Sequence, residues 1–102
     1  MIETTDEQRE VLKLAIDIFG KNNQIDKAIE EMAELTQALL KFRHAPRPLS
    51  GSITTRYNNV IEEIADVRIM TEQLIMMFDE EEVKEMMSVK VDRLAHRLHE
   101  EV

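Results

Sequence analysis

The glycines and prolines of this chain are few, and they leave long stretches free to form helix. Of the 2 Gly and 2 Pro, three lie between Pro46 and Gly51, and the fourth is Gly20. Proline and glycine are the residues that most disfavour a helix interior. Elsewhere in the 102 residues, apolar side chains recur at the three- and four-residue spacing of amphipathic helices. The sequence therefore predicts an all-α protein of four helices with no strands.

The first two helices are delimited by capping residues. Thr4 is expected to cap the first helix, with Glu7 completing a capping box, and Gly20 to end it. Asn22 or Asn23 is expected to cap the second helix. The second helix is predicted to run to about residue 43 and to bury an apolar stripe formed by Ile25, Ala28, Ile29, Met32, Leu35, Leu39 and Phe42.

The second half of the chain is predicted to form a helical hairpin. The segment 44–52 has loop composition and contains Arg47, a candidate substrate contact. Thr54 or Thr55 is expected to cap the third helix, which runs to about Phe78. The acidic residues 79–82 suit the first turn of a fourth helix, because the helix dipole favours anions there. A short break between these helices implies an antiparallel pair, so we expect residues 1–102 to form one four-helix bundle-like domain.

Charge and composition exclude several classes of function. The net charge of −8 argues against nucleic-acid binding, which relies on clustered cations. No apolar run approaches the roughly 20 residues that span a bilayer. There is no cysteine, and the acidic N-terminus does not resemble a signal peptide. These features lead us to expect a cytoplasmic protein.

A seven-residue pattern occurs twice, 32 positions apart, and each copy carries a pair of carboxylates. The copies are 29–35 and 61–67, with Glu31 and Glu34 in the first and Glu63 and Asp66 in the second. Residues i and i+3 share one face of a helix, so two adjacent helices could gather all four carboxylates. Such a group favours a bound cation, because unpaired carboxylates in one place repel each other.

The ligand chemistry of the four carboxylates indicates Mg²⁺, with Mn²⁺ as an alternative, because all the donors are oxygen. A helical di-iron site would require a Glu-x-x-His pair, and the three histidines, His44, His96 and His99, lie elsewhere. The competing interpretation is that these acidic faces are only solvated. Two copies in the same local context favour the metal site.

Three basic residues of the fourth helix, Lys90, Arg93 and Arg97, share one face at positions i, i+3 and i+7. They could bind phosphate oxygens or form surface salt bridges. Lys27, one turn before Glu31, is a further candidate phosphate ligand. We predict all four as substrate-binding residues.

The third helix is apolar on more than one side. One stripe contains Met70, Leu74 and Met77, and the other contains Tyr57, Val60, Ile61, Ile64, Ile75 and Phe78. Such a helix is either the central helix of a bundle or is covered by a partner. In a chain of this size we expect a homo-oligomer, either a dimer or a tetramer.

Taken together, Glu30-Glu31-x-x-Glu34 and, after 28 residues, Glu63-x-x-Asp66 resemble the signature of MazG-type all-α nucleoside triphosphate pyrophosphohydrolases. The resemblance extends from about residue 25 to residue 97. It implies a helical module, associating as a dimer or tetramer, that uses Mg²⁺ to hydrolyse nucleoside triphosphates to the monophosphate and pyrophosphate.

The resemblance implies that the four carboxylates are metal ligands and catalytic residues, with one of them or Glu30 activating water. It also implies that Lys90 and Arg97 contact the triphosphate. Relatives often carry Asn where this chain has Leu94, and Trp for base recognition, which this chain lacks. Base and sugar preference are therefore not implied. The alternatives are a related hydrolase of phosphoribosyl-ATP or dUTP, and a non-catalytic helical interaction module.

Overall fold

The computed structural model describes residues 2–44 and 53–101, which form four α-helices. These are α1 (Asp6–Phe19), α2 (Lys21–His44), α3 (Ile53–Met77) and α4 (Glu80–Glu100). No strand occurs in the described ranges, so the predicted all-α, bundle-like fold is confirmed. Of the predicted loop, only His44 is described, and it belongs to α2. Arg47 lies outside the described residues.

Helix α1 begins with a capping box, one residue later than predicted. Thr5 Oγ1 accepts a hydrogen bond from the Gln8 amide at 3.1 Å, and the Gln8 side chain accepts one from the Thr5 amide at 2.9 Å. The predicted pairing of Thr4 with Glu7 is therefore wrong. Glutamine and glutamate can both accept the return hydrogen bond of a capping box. The pairs Thr4 with Glu7 and Thr5 with Gln8 therefore both matched the sequence pattern.

Gly20 ends α1 as predicted. Its φ of 93° lies in the region that favours glycine, and its amide donates to Ile16 O at 2.9 Å. Because α2 begins at the next residue, the prediction that Asn22 or Asn23 caps α2 is wrong. Asn23 lies inside α2, and its Nδ2 donates to Phe19 O at 2.7 Å, where it satisfies a carbonyl at the end of α1.

The starts of α3 and α4 differ in how well they were predicted. α3 begins at Ile53, so Thr54 and Thr55 lie within it and the prediction that one of them is its cap is wrong. Asp79 caps α4, accepting a hydrogen bond from the Glu82 amide at 3.0 Å. The three glutamates that follow occupy the first turn, as predicted from the helix dipole.

Helices α2 and α3 form the main pair of the fold and run antiparallel. Gln24, near the start of α2, donates to Gln73 near the end of α3 at 2.8 Å. At the other end, the rings of Phe42 and Tyr57 lie 6.4 Å apart. Helix α1 packs on this pair, and Gln73 also donates to Leu12 O of α1 at 3.1 Å. The Gln73 amide therefore links all three helices.

The buried face of the pair is more polar than the sequence indicated. The buried apolar residues are Ile16, Ala28 and Met70, whereas the buried polar residues are Gln24, Glu31, Glu72 and Gln73. In α2, the predicted core stripe is wrong for Ile29, Met32, Leu39 and Phe42, which are exposed. The inward face of α2 instead follows Gln24, Ala28 and Glu31, because these positions meet α3.

Helix α4 extends away from the other three helices. Val83 is half-buried, and every other residue of α4 is exposed. The antiparallel packing expected for α3 and α4 is therefore wrong beyond the first two turns of α4. The radius of gyration is 17.1 Å, compared with about 13 Å for a compact chain of this length. None of the helices in the described ranges is both long and apolar enough to cross a membrane.

Candidate metal centre

The antiparallel pairing of α2 and α3 brings the two copies of the acidic pattern together in opposite directions. Glu31 lies beside Asp66, and Glu34 lies beside Glu63. One carboxylate oxygen from each of Glu31, Glu63 and Asp66 lies within 4.8 Å of the other two. Glu34 borders this group and interacts with both Glu31 and Glu63. We call these four residues the carboxylate cluster.

Two oxygens of the cluster lack hydrogen-bond donors although they are buried. Glu31 retains only 7% of its accessible surface. Its Oε2 atom and Glu63 Oε2 are buried, and no hydrogen-bond partner reaches either of them among the described residues. A buried carboxylate oxygen without a donor is costly, and such oxygens in native proteins are usually paired with a protein donor, a water molecule or an ion.

The pKa values of Glu34, Glu63 and Asp66 are raised by neighbouring negative charge and by loss of solvent. For Glu34 the main cause is repulsion by Glu31. For Glu63 and Asp66 it is loss of solvent, and repulsion from Glu31 adds to both pKa values. These three carboxyl groups therefore hold their protons to higher pH than isolated carboxyl groups do.

A hard divalent cation fits these features. The donors are carboxylate oxygens alone, which suit Mg²⁺ or Mn²⁺ and disfavour softer metals. A cation between Glu31, Glu63 and Asp66 could be coordinated by the two unpartnered oxygens. It would also offset the repulsion that contributes to the raised pKa values of Glu34, Glu63 and Asp66. The carboxylates present could therefore hold a hard divalent cation, and its identity as Mg²⁺ stays a prediction.

Lys27 is the basic residue that lies at the cluster. Its Nζ is 3.1 Å from Glu31 Oε1 and 3.9 Å from Glu30 Oε2. The hydrogen bond to Glu31 is the main reason that the pKa of Lys27 is raised. Half of the Lys27 side chain remains accessible, so Nζ could turn toward a ligand. Glu30 is exposed and lies outside the cluster.

The raised carboxyl pKa values predict an unusual pH dependence for the metal-free protein. Ordinary values are 4.5 for Glu and 3.8 for Asp, and the folded protein holds these protons above them. The folded state then binds more protons than the unfolded state, so this contribution to the free energy of unfolding is present at about pH 4 and is lost as the pH rises through the raised pKa values. In EDTA, we expect the thermal midpoint to fall from pH 5 to pH 8, and to fall less in the double variant Glu34→Gln, Asp66→Asn.

Metal binding should reverse this trend, since a cation needs the deprotonated carboxylates. We therefore expect Mg²⁺ to raise the midpoint more at pH 8 than at pH 5. An equal Mg²⁺ effect at both pH values, measured by circular-dichroism melts, would contradict the assignment of the cluster as a metal site.

The basic row of α4 lies apart from the cluster within one chain. Lys90, Arg93 and Arg97 share an exposed face of α4, as predicted. In the described part of the chain, none of them forms an ion pair. Helix α4 also makes no close backbone contact with α2, which carries Glu31 and Glu34.

A second group of polar residues adjoins the cluster and was not singled out by sequence reasoning. A cavity of about 300 Å³ between α2 and α3 is lined by Glu34, Gln37, Ala38, Lys41, Arg56, Asn59 and Glu63. Lys41 is seven residues after Glu34, and Arg56 is seven residues before Glu63. This spacing places each cation two turns from a cluster carboxylate on the same helical face. The sequence could have predicted this pair of cations once α2 and α3 were assumed to pack antiparallel.

Comparison with protein-family models, with curated proteins and with solved structures found no match for this chain.

Proposed function

We propose that the protein hydrolyses nucleoside triphosphates to the monophosphate and pyrophosphate with the help of Mg²⁺. The observation that supports this most is the pair of buried, unpartnered oxygens, Glu31 Oε2 and Glu63 Oε2, within a group of four carboxylates. A site of this kind is suited to metal-assisted chemistry on an anionic substrate. The resemblance of the acidic motifs to MazG-type enzymes provides the reaction class.

In this proposal, Glu31, Glu63 and Asp66 hold the metal, and Glu34 completes the site. When bound, Mg²⁺ neutralises phosphate oxygens and lowers the pKa of a coordinated water molecule. Glu34 is half-buried at the edge of the cluster, where it could accept a proton from the attacking water. Lys27 could contact a phosphate oxygen while it remains near Glu31.

We also propose that two or more copies associate. The residues Met87, Val91, Leu94 and Leu98 form an apolar face of α4 at spacing i, i+4, i+7 and i+11, and all are exposed, Val91 to 60% and Leu98 to 54%. An apolar face of this extent on a projecting helix is typical of an interface. The basic row lies about 100° around α4 from this face. Burying the apolar face against another copy would therefore bring Lys90, Arg93 and Arg97 beside that copy.

The association predicts a specific effect of Leu94→Asp. A charge in the middle of the apolar face should shift sedimentation-velocity profiles of the protein from an oligomer to the 11.9 kDa monomer. Asp92→Asn, which removes a charge from an exposed position outside that face, is the matched control and should leave the oligomer intact. A wild-type protein that sediments as a monomer at high micromolar concentration would show that this face has another role.

The proposed reaction is tested by a panel of triphosphates assayed for pyrophosphate with and without Mg²⁺. We expect release of pyrophosphate and monophosphate from at least one of the eight common nucleoside triphosphates. The panel also includes phosphoribosyl-ATP, and turnover of that compound would identify a related hydrolase. Turnover of dUTP alone would identify a dUTP hydrolase. Thermal melts with Mg²⁺ and a triphosphate analogue accompany the panel, because a ligand that binds only the folded state raises the midpoint. No turnover and no stabilisation would indicate a helical interaction module.

A cytoplasmic location, where triphosphates and Mg²⁺ are both available, forms part of the proposal.

A further inference from the structure

The cavity beside the carboxylate cluster has an acidic end and a basic end. Glu34 and Glu63 lie at the acidic end, and Lys41 and Arg56 lie two helical turns away on the same helices. The antiparallel packing of α2 and α3 places Lys41 and Arg56 together. Gln37 and Asn59 lie between the two ends. The cavity therefore continues from the candidate metal site to a pair of cations.

At each end of the cavity, a lining residue carries a buried polar atom that has no hydrogen-bond partner among the described residues. At the acidic end this atom is Glu63 Oε2, and at the basic end it is Arg56 Nε. These two residues have opposite charges but do not form an ion pair with each other, and neither Arg56 nor Lys41 is ion-paired within the described residues. Leaving either a buried donor or a buried acceptor without a partner costs free energy.

One kind of ligand satisfies both ends. A metal ion at the cluster would provide Glu63 with a cation, and a phosphate group bound to that metal would extend toward Arg56 as an acceptor. The charges of the residues that line the cavity agree with this arrangement, because those of Glu34 and Glu63 cancel those of Lys41 and Arg56. A divalent metal ion, shared with Glu31 and Asp66, would bring the four cluster carboxylates, Lys41 and Arg56 to a net charge of zero, so the basic end could attract an anion. The planar guanidinium of arginine binds phosphate oxygens in a bidentate manner.

We propose that Arg56, assisted by Lys41, binds the phosphate tail of the substrate in this cavity and holds the pyrophosphate that leaves. The inference rests on the proposed function for the identity of the substrate. A volume of about 300 Å³ is at the lower end of the range for ligand sites, so the cavity suits a diphosphate group and not a whole nucleotide. The nucleoside would then lie on the other side of the cluster, and the bond that breaks would lie at the metal site.

The test measures binding of inorganic pyrophosphate in the presence of Mg²⁺ by isothermal titration calorimetry. We expect Arg56→Gln to weaken pyrophosphate binding by about 10- to 100-fold, the usual effect of losing a charge-assisted contact. Arg56→Lys, which keeps the charge but loses the planar guanidinium group, should bind pyrophosphate with intermediate affinity. Lys41→Gln should have a smaller effect than Arg56→Gln. Arg43→Gln removes an exposed charge of α2 that does not line the cavity, and it should bind as the wild type does.

Binding of Mn²⁺ alone, measured by electron paramagnetic resonance, separates a phosphate contact from a structural role. The proposal requires Arg56→Gln to bind Mn²⁺ as tightly as the wild type and to retain its helical circular-dichroism spectrum. If Mn²⁺ binding is lost together with pyrophosphate binding, Arg56 supports the fold of the site and the proposal is overturned. Wild-type affinity of Arg56→Gln for pyrophosphate, or no binding by the wild type, would overturn it as well.

Failure of this inference and failure of the proposed function give different results. A wild type that releases pyrophosphate from triphosphates, together with an Arg56→Gln variant of unchanged KM and pyrophosphate affinity, would leave the function standing and exclude Arg56. A wild type that binds Mg²⁺ and pyrophosphate through Arg56 but turns over no triphosphate would support the phosphate site and exclude the reaction.

Discussion

Replacing Glu63 with glutamine is expected to abolish Mg²⁺-dependent pyrophosphate release while leaving the protein folded. Glu63 belongs to the group of three carboxylates that could share a cation, and its Oε2 has no donor to lose. Glutamine has nearly the same shape, but it removes one of the charges that would hold the metal. We expect the rate to fall by at least about 100-fold, the size of effect seen when a group that stabilises developing charge is removed.

The same variant should be more stable than the wild type when no metal is present. Loss of solvent and repulsion from Asp66 and Glu31 raise the pKa of Glu63, so removing the charge relieves an unfavourable interaction. Melts in EDTA at pH 8 should show a higher midpoint for Glu63→Gln, and added Mg²⁺ should raise it less than it raises the wild type. Glu62→Gln is the matched control, because Glu62 is the exposed neighbour outside the cluster. Normal turnover by Glu63→Gln would exclude Glu63 as a metal ligand.

Replacing Glu72 with alanine is expected to cause the largest loss of stability. Glu72 is 5% exposed and forms ion pairs with Arg9 of α1 and Arg68 of α3, the latter at 3.1 Å. Arg9 also lies 3.5 Å from Glu80 at the start of α4. Removing the central carboxylate leaves two cations close together and a gap in the core. We expect a loss of about 3 kcal/mol in the free energy of unfolding, at the lower end for a buried ion pair because both arginines are partly exposed.

Denaturant unfolding followed by circular dichroism measures this loss. Glu85→Ala, at an exposed position of α4 that forms no ion pair within residues 2–44 and 53–101, should change the free energy of unfolding by less than about 0.5 kcal/mol. Arg68→Ala should cost less than Glu72→Ala, because Arg9 remains to pair with the carboxylate. If Glu72→Ala unfolds at the same denaturant concentration as the wild type, the ion pairs contribute little, and α1 is held to α3 mainly by Gln73 and the apolar contacts around Ile16.

The polar character of the core has a consequence for how the site is built. Gln24, Gln73 and Glu72 connect α1, α2 and α3 through hydrogen bonds and ion pairs that have fixed geometry. Apolar contacts permit small shifts between helices, whereas buried hydrogen bonds fix their register. Glu31 lies one turn after Ala28 and two turns after Gln24 on the same face of α2. The network therefore sets the register at which the cluster carboxylates meet.

Local sequence signals predicted the helices well and their ends less well. The stop at Gly20 and the acidic first turn after Asp79 were both correct, because each depends on the backbone of one or two residues. The cap at Thr5 was missed by one residue, since two overlapping threonine patterns fit equally well. Asn23 belongs to α2, but its side chain bonds to the end of α1 and does not cap α2, because the short connection lets it reach the preceding helix.

By itself, the sequence determined that the chain is helical and that the four acidic residues occur as two equivalent pairs. Both properties are local, since they depend on spacing along one helix. The tertiary structure alone decided which face of α2 is buried, that the acidic pairs meet in opposite directions, and that Lys41 and Arg56 share a cavity with Glu34 and Glu63. These properties depend on the direction and register in which two helices pack, and the periodicity of a single helix carries no information about either.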